Sequence, residues 1–372
     1  MTHGISHVPR PQVLSIPERL DADPDVAGRG IVMAFVDAGF FPHPDLMRPS
    51  KRILAYVDAA RPDPVADDFL TARPSAWHGT MTACAAAGNG YLSGGRYRGL
   101  ASEARVVLIK CSDEAGDLRA KHVAHAIRFP LRHPGLRVRI VNVSVGVSPD
   151  DPDLADVLAA VREVVAAGVA VFAAAGNRAD AAPEPPASAP EAISVGGWND
   201  GNTRNPGDDR WYPSSSGGGK PDLLAPAIWL PAPMLPGTVT AREAVALLST
   251  VGVLEEMLER DEFAARGHRL SERDRASVET TLAAVAARIR HQKFIGTDYQ
   301  HVEGTSFAAP ITASVAAQML EIDPALTPAL LREGLTATAR PIVGVTAAAQ
   351  GAGLLQPLAA VDWVRARLAA RA

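Results

Sequence analysis

The stretch GIVMAFVDAG at residues 30–39 sets the fold class, because it reads as a strand that is apolar along its length and ends in the acid Asp37. A strand without polar alternation is typical of a parallel sheet that helices cover on both faces. Similar short apolar runs lie at 104–111, 139–146, 168–177 and 192–197. Segments with helical spacing separate them, so the sequence predicts a three-layer, doubly wound α/β fold with a mainly parallel sheet.

Length and composition indicate a globular chain. The 372 residues are 47% hydrophobic and 21% charged, with a net charge of -4 spread along the sequence. This balance supports a sizeable core and provides no basic patch for nucleic acid. No apolar run is long enough to cross a bilayer, and the first residues lack the pattern of a secretory signal. We therefore expect a cytoplasmic protein, with a secreted mature form as the alternative, and neither a nucleic-acid nor a membrane partner.

Three residues that carry chemistry stand at the ends of predicted elements. Asp37 ends the first strand, His78 opens a helix of small residues, and Ser306 opens another buried helix. Each has an ordinary explanation, since the acid could cap a turn, the histidine could pack in the core and the serine could cap its helix. In the order Asp, His, Ser they also supply an orienting acid, a general base and a hydroxyl nucleophile. The sequence therefore predicts that these three residues are catalytic.

A fourth residue, Asn177, follows an apolar strand and a glycine. Its side-chain amide is predicted to lie beside the backbone N–H of Ser306, where both would donate to a developing oxyanion. The alternative is that Asn177 occupies a left-handed turn, which suits asparagine.

These segments resemble the subtilisin-type serine proteases, the S8 or subtilase family. The matching segments are VDAGFFPHPDL around Asp37, HGTMTACAAAG around His78, VNVSVG, AAAGN around Asn177, KPDLLAPA, GTSFAAP around Ser306 and GAGLLQPLAAV. The resemblance runs from about residue 29 to residue 361. It implies a subtilisin-like fold and endopeptidase activity on an extended polypeptide, through an acyl-enzyme intermediate.

The resemblance also implies a substrate-binding cleft with two walls. One wall would pair with the substrate as an added strand, and the other would line the pocket for the side chain before the scissile bond. The first wall comprises Ser144, Val145 and Gly146, and the second comprises Ala174, Ala175 and Gly176. Arg178 and Glu184 lie near the pocket with opposite charges, so the sequence does not assign a preferred substrate side chain.

A charged helical segment interrupts the resemblance. A T-x-x-E pattern at Thr240, and Ser271 with Asp274, predict the starts of two helices with apolar stripes. We expect a helical hairpin that packs on itself or on the main domain. The predicted units are an N-terminal extension at 1–28, a peptidase domain at 29–236 and 294–372, and the hairpin insertion at 237–293. The hairpin is either a lid or docking site for a regulatory or substrate partner, or an inert insert or dimer surface.

No cofactor is required by these residues. Asp45 matches a residue that can bind calcium in the family, but calcium takes about six to eight oxygens and the segment GNGYLSGG supplies no acidic ladder. A structural calcium ion is therefore an open alternative without support. His122 and His125 stand three apart on a predicted helix with no third ligand, so no metal site is predicted. Cys84 and Cys111 are expected to be buried, reduced thiols.

Three functions fit the sequence. The first is an intracellular serine endopeptidase of restricted specificity that cleaves a protein or peptide substrate. The second uses the same triad to join peptides, as a ligase or macrocyclase in a site that excludes water. The third is a peptide-binding protein with an inactive triad, against which the presence of all four predicted site residues argues.

Overall fold

The computed structural model describes residues 13–61, 67–179, 181–212, 215–216, 218, 220–263 and 269–371. Residues 1–12 of the predicted N-terminal extension and residues 264–268 of the hairpin connection lie outside the described residues. The strands are β1 (Val32–Asp37), β2 (Ile53–Asp58), β3 (Arg105–Lys110), β4 (Val138–Val143), β5 (Ala170–Ala174), β6 (Ile193–Asn199), β7 (Arg210–Trp211), β8 (Leu223–Pro226), β9 (Leu230–Pro233) and β10 (Tyr299–Val302). The helices are α1 (Ile16–Arg19), α2 (Pro44–Met47), α3 (Asp67–Leu70), α4 (Trp77–Ala87), α5 (Ala120–Ile127), α6 (Phe129–Arg132), α7 (Leu154–Ala166), α8 (Val239–Phe263), α9 (Glu272–His291), α10 (Thr305–Ile322), α11 (Pro328–Ala337), α12 (Ala347–Gln350) and α13 (Pro357–Ala369).

The main sheet has the strand order β2-β3-β1-β4-β5-β6-β7, and β8 also pairs with β6. Its pairs are parallel except that β7 runs antiparallel to β6. A separate antiparallel pair joins β9 to β10. The predicted doubly wound, mainly parallel sheet is therefore confirmed.

Helices cover both faces of the sheet. On one face, α5 and α7 share a core cluster with Val32, Ala34 and Val36 of β1. On the other face, α4, α10 and α13 share a cluster with Met33 and Phe35. Because successive side chains of a strand point to opposite faces, β1 is buried at every position and needs apolar residues throughout.

The direction of sheet growth reverses between β1 and β4. Strands β2 and β3 lie on one side of β1, whereas β4, β5 and β6 lie on the other. In open α/β sheets, the crevice at such a switch point, outside the carboxyl ends of the strands, is where ligands bind. Asp37 ends β1, Ser144 follows β4 and Asn177 follows β5, so three predicted site residues lie at this edge.

Helices α8 and α9 form the inserted hairpin. They pack on each other through Val251, Leu258, Val278 and Leu282. Ala244 of α8 is fully buried in the core cluster of the main domain. The sequence left open whether the hairpin packs on itself or on the main domain, and in the structure it does both.

The start of α8 differs from the prediction. The hydroxyl of Thr238, rather than that of Thr240, accepts a first-turn N–H at 3.2 Å. Glu243 pairs instead with Arg288 of α9, with 2.6 Å between nitrogen and oxygen, which satisfies its charge across the hairpin. The predicted cap of α9 is confirmed, because the hydroxyl of Ser271 accepts a first-turn N–H at 3.1 Å.

The segment 178–236 is rich in Pro, Gly, Ser and Asp, a composition typical of surface loops, yet part of it is buried. Strands β8 and β9 are buried at every residue, because β8 extends the main sheet beside β6 and β9 packs in the core. Within the described part of the chain, no helix combines the length and the apolar character needed to span a bilayer.

Candidate active site

The carboxylate of Asp37 is surrounded by hydrogen-bond donors. Nδ1 of His78 lies 2.8 and 2.9 Å from its two oxygens, the N–H of Ala38 donates at 2.7 Å and the hydroxyl of Thr82 donates at 3.2 Å. The Asp37 side chain is only 1% exposed, so these donors replace water around a buried charge. Because Nδ1 of His78 donates to Asp37, Nε2 is the nitrogen left to act as a base.

Helix α4 approaches β1 closely because Gly79 has no side chain. A Cβ at this position would lie 2.4 Å from the carbonyl oxygen of Gly39 and 2.7 Å from the Cβ of Asp37. Such contacts are shorter than packed atoms tolerate. Glycine directly after His78 is therefore what allows the imidazole to reach the end of the strand.

Two opposing influences set the pKa of His78. Burial is the largest and lowers the pKa, whereas the charge of Asp37 and its hydrogen bond raise it, and the result is a pKa above the usual 6.5. The pair thus favours the imidazolium, which is the state that forms when the imidazole accepts a proton.

Ser306 is the second residue of α10, where backbone N–H groups have no partner within the helix. The helix starts at a sharp corner, since Gly304 has φ 124° and ψ 156°, a conformation that is essentially restricted to glycine. The hydroxyl of Ser306 lies 3.4 Å from the carbonyl oxygen of Ser144. The His78 ring lies against Phe307, the residue after Ser306, with 5.8 Å between ring centroids.

The structure thus brings the three predicted catalytic residues to one place but does not join all of them. Asp37 and His78 are hydrogen-bonded, whereas within the described part of the chain the Ser306 hydroxyl donates to Ser144 and not to His78. The Ser306 hydroxyl points to the cleft wall instead. In free enzymes catalytic hydrogen bonds are often long and tighten when the substrate binds.

Pro310 ties the helix of Ser306 to the cleft wall. Proline has no N–H, so the carbonyl of Ser306, four residues earlier, receives no bond from position 310. The hydroxyl of Ser144 donates to this carbonyl at 2.8 Å, and the side-chain amide of Asn142 donates to the Ser144 hydroxyl at 2.8 Å. A proline that weakens the helix locally therefore frees an acceptor that fixes the helix to the end of β4.

Thr305 fixes the orientation of Asn177. The backbone N–H and the hydroxyl of Thr305 donate to Oδ1 of Asn177 at 2.9 and 3.1 Å. A backbone N–H only donates, so the accepting atom must be the amide oxygen, and the NH₂ group is left for another acceptor. Nδ2 lies 3.3 Å from where a Cβ of Gly304 would be, beside the start of α10. Thr305 was missed by the sequence analysis, although its place directly before Ser306 was an available signal.

The predicted cleft residues line a single pocket of about 210 Å³. The predicted residues in its lining are Ser144, Val145, Gly146, Ala174, Ala175, Gly176, Asn177 and Ser306. Arg178 and Glu184, which also line it, form an ion pair with each other. Their charges therefore offset each other, which explains why the sequence indicated no charge preference.

Ser216 is a pocket residue that the sequence did not reveal. Its hydroxyl accepts from the N–H of Arg178 at 3.2 Å and donates to the Arg178 carbonyl at 2.9 Å. A Cβ on Gly176 would lie 2.9 Å from this hydroxyl, so the small residue at 176 makes room for it. Nothing in the Ser- and Gly-rich segment around Ser216 distinguishes it from its neighbours.

The surroundings of Asp45 do not fit a calcium ion. Its carboxylate accepts from the hydroxyl of Tyr299 at 2.6 Å and from the N–H of Leu92 at 3.2 Å, and its carbonyl accepts from Arg52. Hydrogen-bond donors thus already occupy both carboxylate oxygens and the carbonyl oxygen that Asp45 could offer to calcium. Among the described residues, no group of three or more His, Cys, Asp or Glu side chains could hold a metal ion.

The two cysteines are buried and free. Burial raises the pKa of both the Cys84 and the Cys111 thiol, which keeps them protonated and unreactive. The Cys111 thiol donates to the carbonyl of Asp37 at 3.2 Å, so it supports the end of β1 by packing and hydrogen bonding.

The doubly wound sheet, with polar residues gathered at its switch point, places this protein in the class of α/β proteins that carry a ligand cleft at the carboxyl ends of their strands. A family model described as the subtilase family, peptidase S8, matches residues 28–356, and the chain belongs to the subtilase family. It is 26% identical over 325 residues to the serine protease AprX of Bacillus subtilis, in an alignment that covers 83% of this chain. The chain spans 61% of the length of that relative.

Solved structures share the fold. Fervidolysin from Fervidobacterium pennivorans, a keratinolytic enzyme related to subtilisin, superimposes with a TM-score of 0.63 at 21% identity, covering 94% of this chain and 45% of fervidolysin. A protease from Pseudoalteromonas arctica gives a TM-score of 0.61 at 19% identity, covering 94% of each chain. At these identities the likeness shows the fold alone, and it confirms the predicted subtilisin-like architecture.

Proposed function

We propose that this protein is a serine endopeptidase that cleaves a polypeptide through Asp37, His78 and Ser306. The observation that supports it most is the imidazole of His78, held 2.8 Å from a buried carboxylate and beside the helix of Ser306. In the proposed reaction, Nε2 of His78 takes the hydroxyl proton as Oγ of Ser306 attacks the scissile carbonyl. His78 then gives that proton to the leaving amine, and water releases the acyl group by the same route.

The developing oxyanion would be stabilised at the start of α10. The NH₂ group of Asn177 is available because its oxygen already holds Thr305. The backbone N–H of Ser306 lies in the first turn of an 18-residue helix, whose dipole adds positive potential there. Two donors fixed before the reaction stabilise the transition state without reorganisation.

The substrate would bind as an extended chain. Residues 144–148 follow β4 without continuing the sheet, and Gly146 is exposed, which supports addition of a substrate strand at this edge. The adjacent pocket would take the side chain before the scissile bond. Its small walls and the Arg178–Glu184 pair favour an uncharged side chain of modest size.

A restricted set of substrates and an intracellular setting are part of the proposal. The hairpin lies between β9 and β10, a few residues before Ser306 in the chain, and its exposed surface would receive a substrate or regulatory protein. The buried, free thiols of Cys84 and Cys111 support a reducing compartment, because such thiols persist there without forming disulfides.

Replacing the proposed nucleophile tests the function. Ser306→Ala should lower kcat for peptide hydrolysis by about 10⁶-fold, because the attacking oxygen is lost. The same change should abolish covalent labelling by a fluorophosphonate, measured by mass spectrometry of the intact protein. Ser314→Ala is the matched control, since Ser314 is a buried serine of α10 whose hydroxyl donates within its own helix, to the Ile311 carbonyl at 2.6 Å. Labelling and turnover that survive in Ser306→Ala would exclude this mechanism.

The pH dependence tests the His78–Asp37 pair. His78 must be neutral to accept the hydroxyl proton, and its pKa lies above 6.5, so kcat/KM should fall on the acid side with a midpoint above pH 6.5. In Asp37→Asn the charge that raises this pKa is absent while burial still lowers it, so the midpoint should move to lower pH. The rate should also fall by about 10⁴-fold. An acid limb whose midpoint is the same in both proteins would show that Asp37 does not act on the base.

The role of Asn177 is tested by a change that keeps its oxygen. Asn177→Asp retains an acceptor for Thr305 but replaces the NH₂ donor by a negative charge that repels the oxyanion, so kcat should fall by at least about 10²–10³-fold with little change in KM. Thr305→Ser keeps both donors to Asn177 and should leave kcat nearly unchanged. If Thr305→Ser reduced kcat as much as Asn177→Asp, Asn177 would act through the loop structure rather than as a donor.

The ion pair at the pocket gives a prediction on specificity. Arg178→Ala leaves Glu184 without its partner, so the ratio of kcat/KM for substrates with Lys and Gln before the scissile bond should rise about tenfold. The measurement compares two peptides that differ only at that residue. Combining Arg178→Ala with Glu184→Gln should restore the original ratio. A ratio that stays high would show that the preference for Lys does not come from the charge of Glu184.

A further inference from the structure

A cavity of about 380 Å³ lies where the hairpin meets the main domain. Its walls are mainly apolar, with Leu248, Val251 and Ile289 from the hairpin and Trp229 and Phe294 from the rest of the chain. This size and lining are typical of sites that bind small molecules. The cavity is separate from the pocket lined by Ser306 and shares none of its residues.

His301 of β10 supplies a polar group to the cavity wall. Its Nδ1 is buried and has no hydrogen-bond partner within the described residues. Its ring meets Trp229 edge to face, with 5.3 Å between ring centroids. A buried nitrogen without a partner is unfavourable, and a ligand carboxylate would accept a hydrogen bond from Nδ1 when the imidazole carries a proton on that nitrogen.

The charged groups around the cavity are basic. Arg290 is exposed and forms no ion pair with any described residue, and Lys293 pairs with Glu303 at 2.9 Å outside the lining. No acidic side chain is among the described residues that line the cavity. An anionic group would therefore meet favourable charges at the rim, whereas a cation would not.

We propose that this cavity binds a small amphiphile with a carboxylate head and an apolar body. The apolar body would contact Trp229 and the hairpin residues, and the carboxylate would face Arg290 and Nδ1 of His301. At about 30 Å³ for each heavy atom, the share of a water molecule in the liquid, the twelve heavy atoms of decanoate occupy about 360 Å³. A fatty acid of about ten carbons thus matches the volume of the cavity.

Such a ligand would act on the proposed active site, and this part of the inference rests on the proposed function. The carbonyl of Ala227, two residues before Trp229, accepts from the N–H of Gly304 at 2.7 Å. His301 lies in β10, which leads through Gly304 into Ser306. The segments of Trp229 and His301, on the cavity wall, are therefore joined by the Gly304–Ala227 hydrogen bond just before Ser306. A ligand in the cavity should then change kcat/KM.

Binding is tested on the 372-residue chain carrying Ser306→Ala, by isothermal titration calorimetry with decanoate and with decyltrimethylammonium. Decanoate should bind at one site, and the ammonium compound should bind more weakly. His301→Phe should weaken decanoate binding about tenfold, since a hydrogen bond to a charged group is lost. Arg290→Glu should weaken it about threefold or more and reduce its dependence on salt. Arg273→Glu, at the other end of α9, makes the same charge change and should have no effect.

Equal affinity for the two probes, no binding of decanoate, or unchanged affinity in both His301→Phe and Arg290→Glu would overturn the proposal. Arg290 is exposed, so its variant keeps the test valid if His301→Phe fails to fold. These measurements do not depend on turnover, and they stand even if the proposed function fails. With wild-type protein, saturating decanoate should change kcat/KM for a peptide substrate about fivefold. Binding that leaves kcat/KM unchanged would overturn the coupling to Ser306.

Discussion

Asp37 is a charge that the fold has buried, and the rest of the candidate site is arranged around it. An ionised carboxylate removed from water is stable only when donors surround it. The backbone N–H of Ala38, the hydroxyl of Thr82 and the imidazole of His78 meet this requirement. Two of these groups belong to α4, so this helix must lie close to β1. Gly79 and the small residues of α4 follow from that constraint.

A second constraint acts on the helix of Ser306. Its first turn must leave backbone N–H groups open, yet the turn must not move. The fold meets both demands with contacts from outside the helix, because Asn177 holds the N–H of Thr305 and Ser144 holds the carbonyl that Pro310 leaves free. The strands β4 and β5 therefore position Ser306 through their end segments, so the proposed substrate-binding segments are joined by hydrogen bonds to the helix of the proposed nucleophile.

The sequence was sufficient for the sheet, because β1 carries a pattern that only a strand buried on both faces requires. The pattern also pointed to the three proposed catalytic residues, since each lies at a strand end or helix start, and the family resemblance implied the two walls that line one pocket in the structure. Contacts between distant segments were not visible. The hydroxyl of Tyr299 donates to the carboxylate of Asp45, although the two residues are 254 positions apart. No local sequence pattern predicts such a pair. The cap at Thr238 was missed because Thr240 fits the same local rule, and packing of the hairpin decides between them.

The hairpin shows how an insertion can add a site without disturbing the first one. It enters between β9 and β10, an antiparallel pair whose hydrogen bonds are complete whatever connects the strands. The length of the hairpin therefore has little effect on the core of the main domain. The apolar stripes of α8 and α9 are covered partly by each other and partly by the main domain. The cavity beside His301 lies at the join between the hairpin and the main domain. Because β10 continues directly into the corner at Gly304, any molecule that fills the gap contacts the strand that sets the position of Ser306. The same connection that carries the insertion thus joins it directly to the segment of the proposed nucleophile.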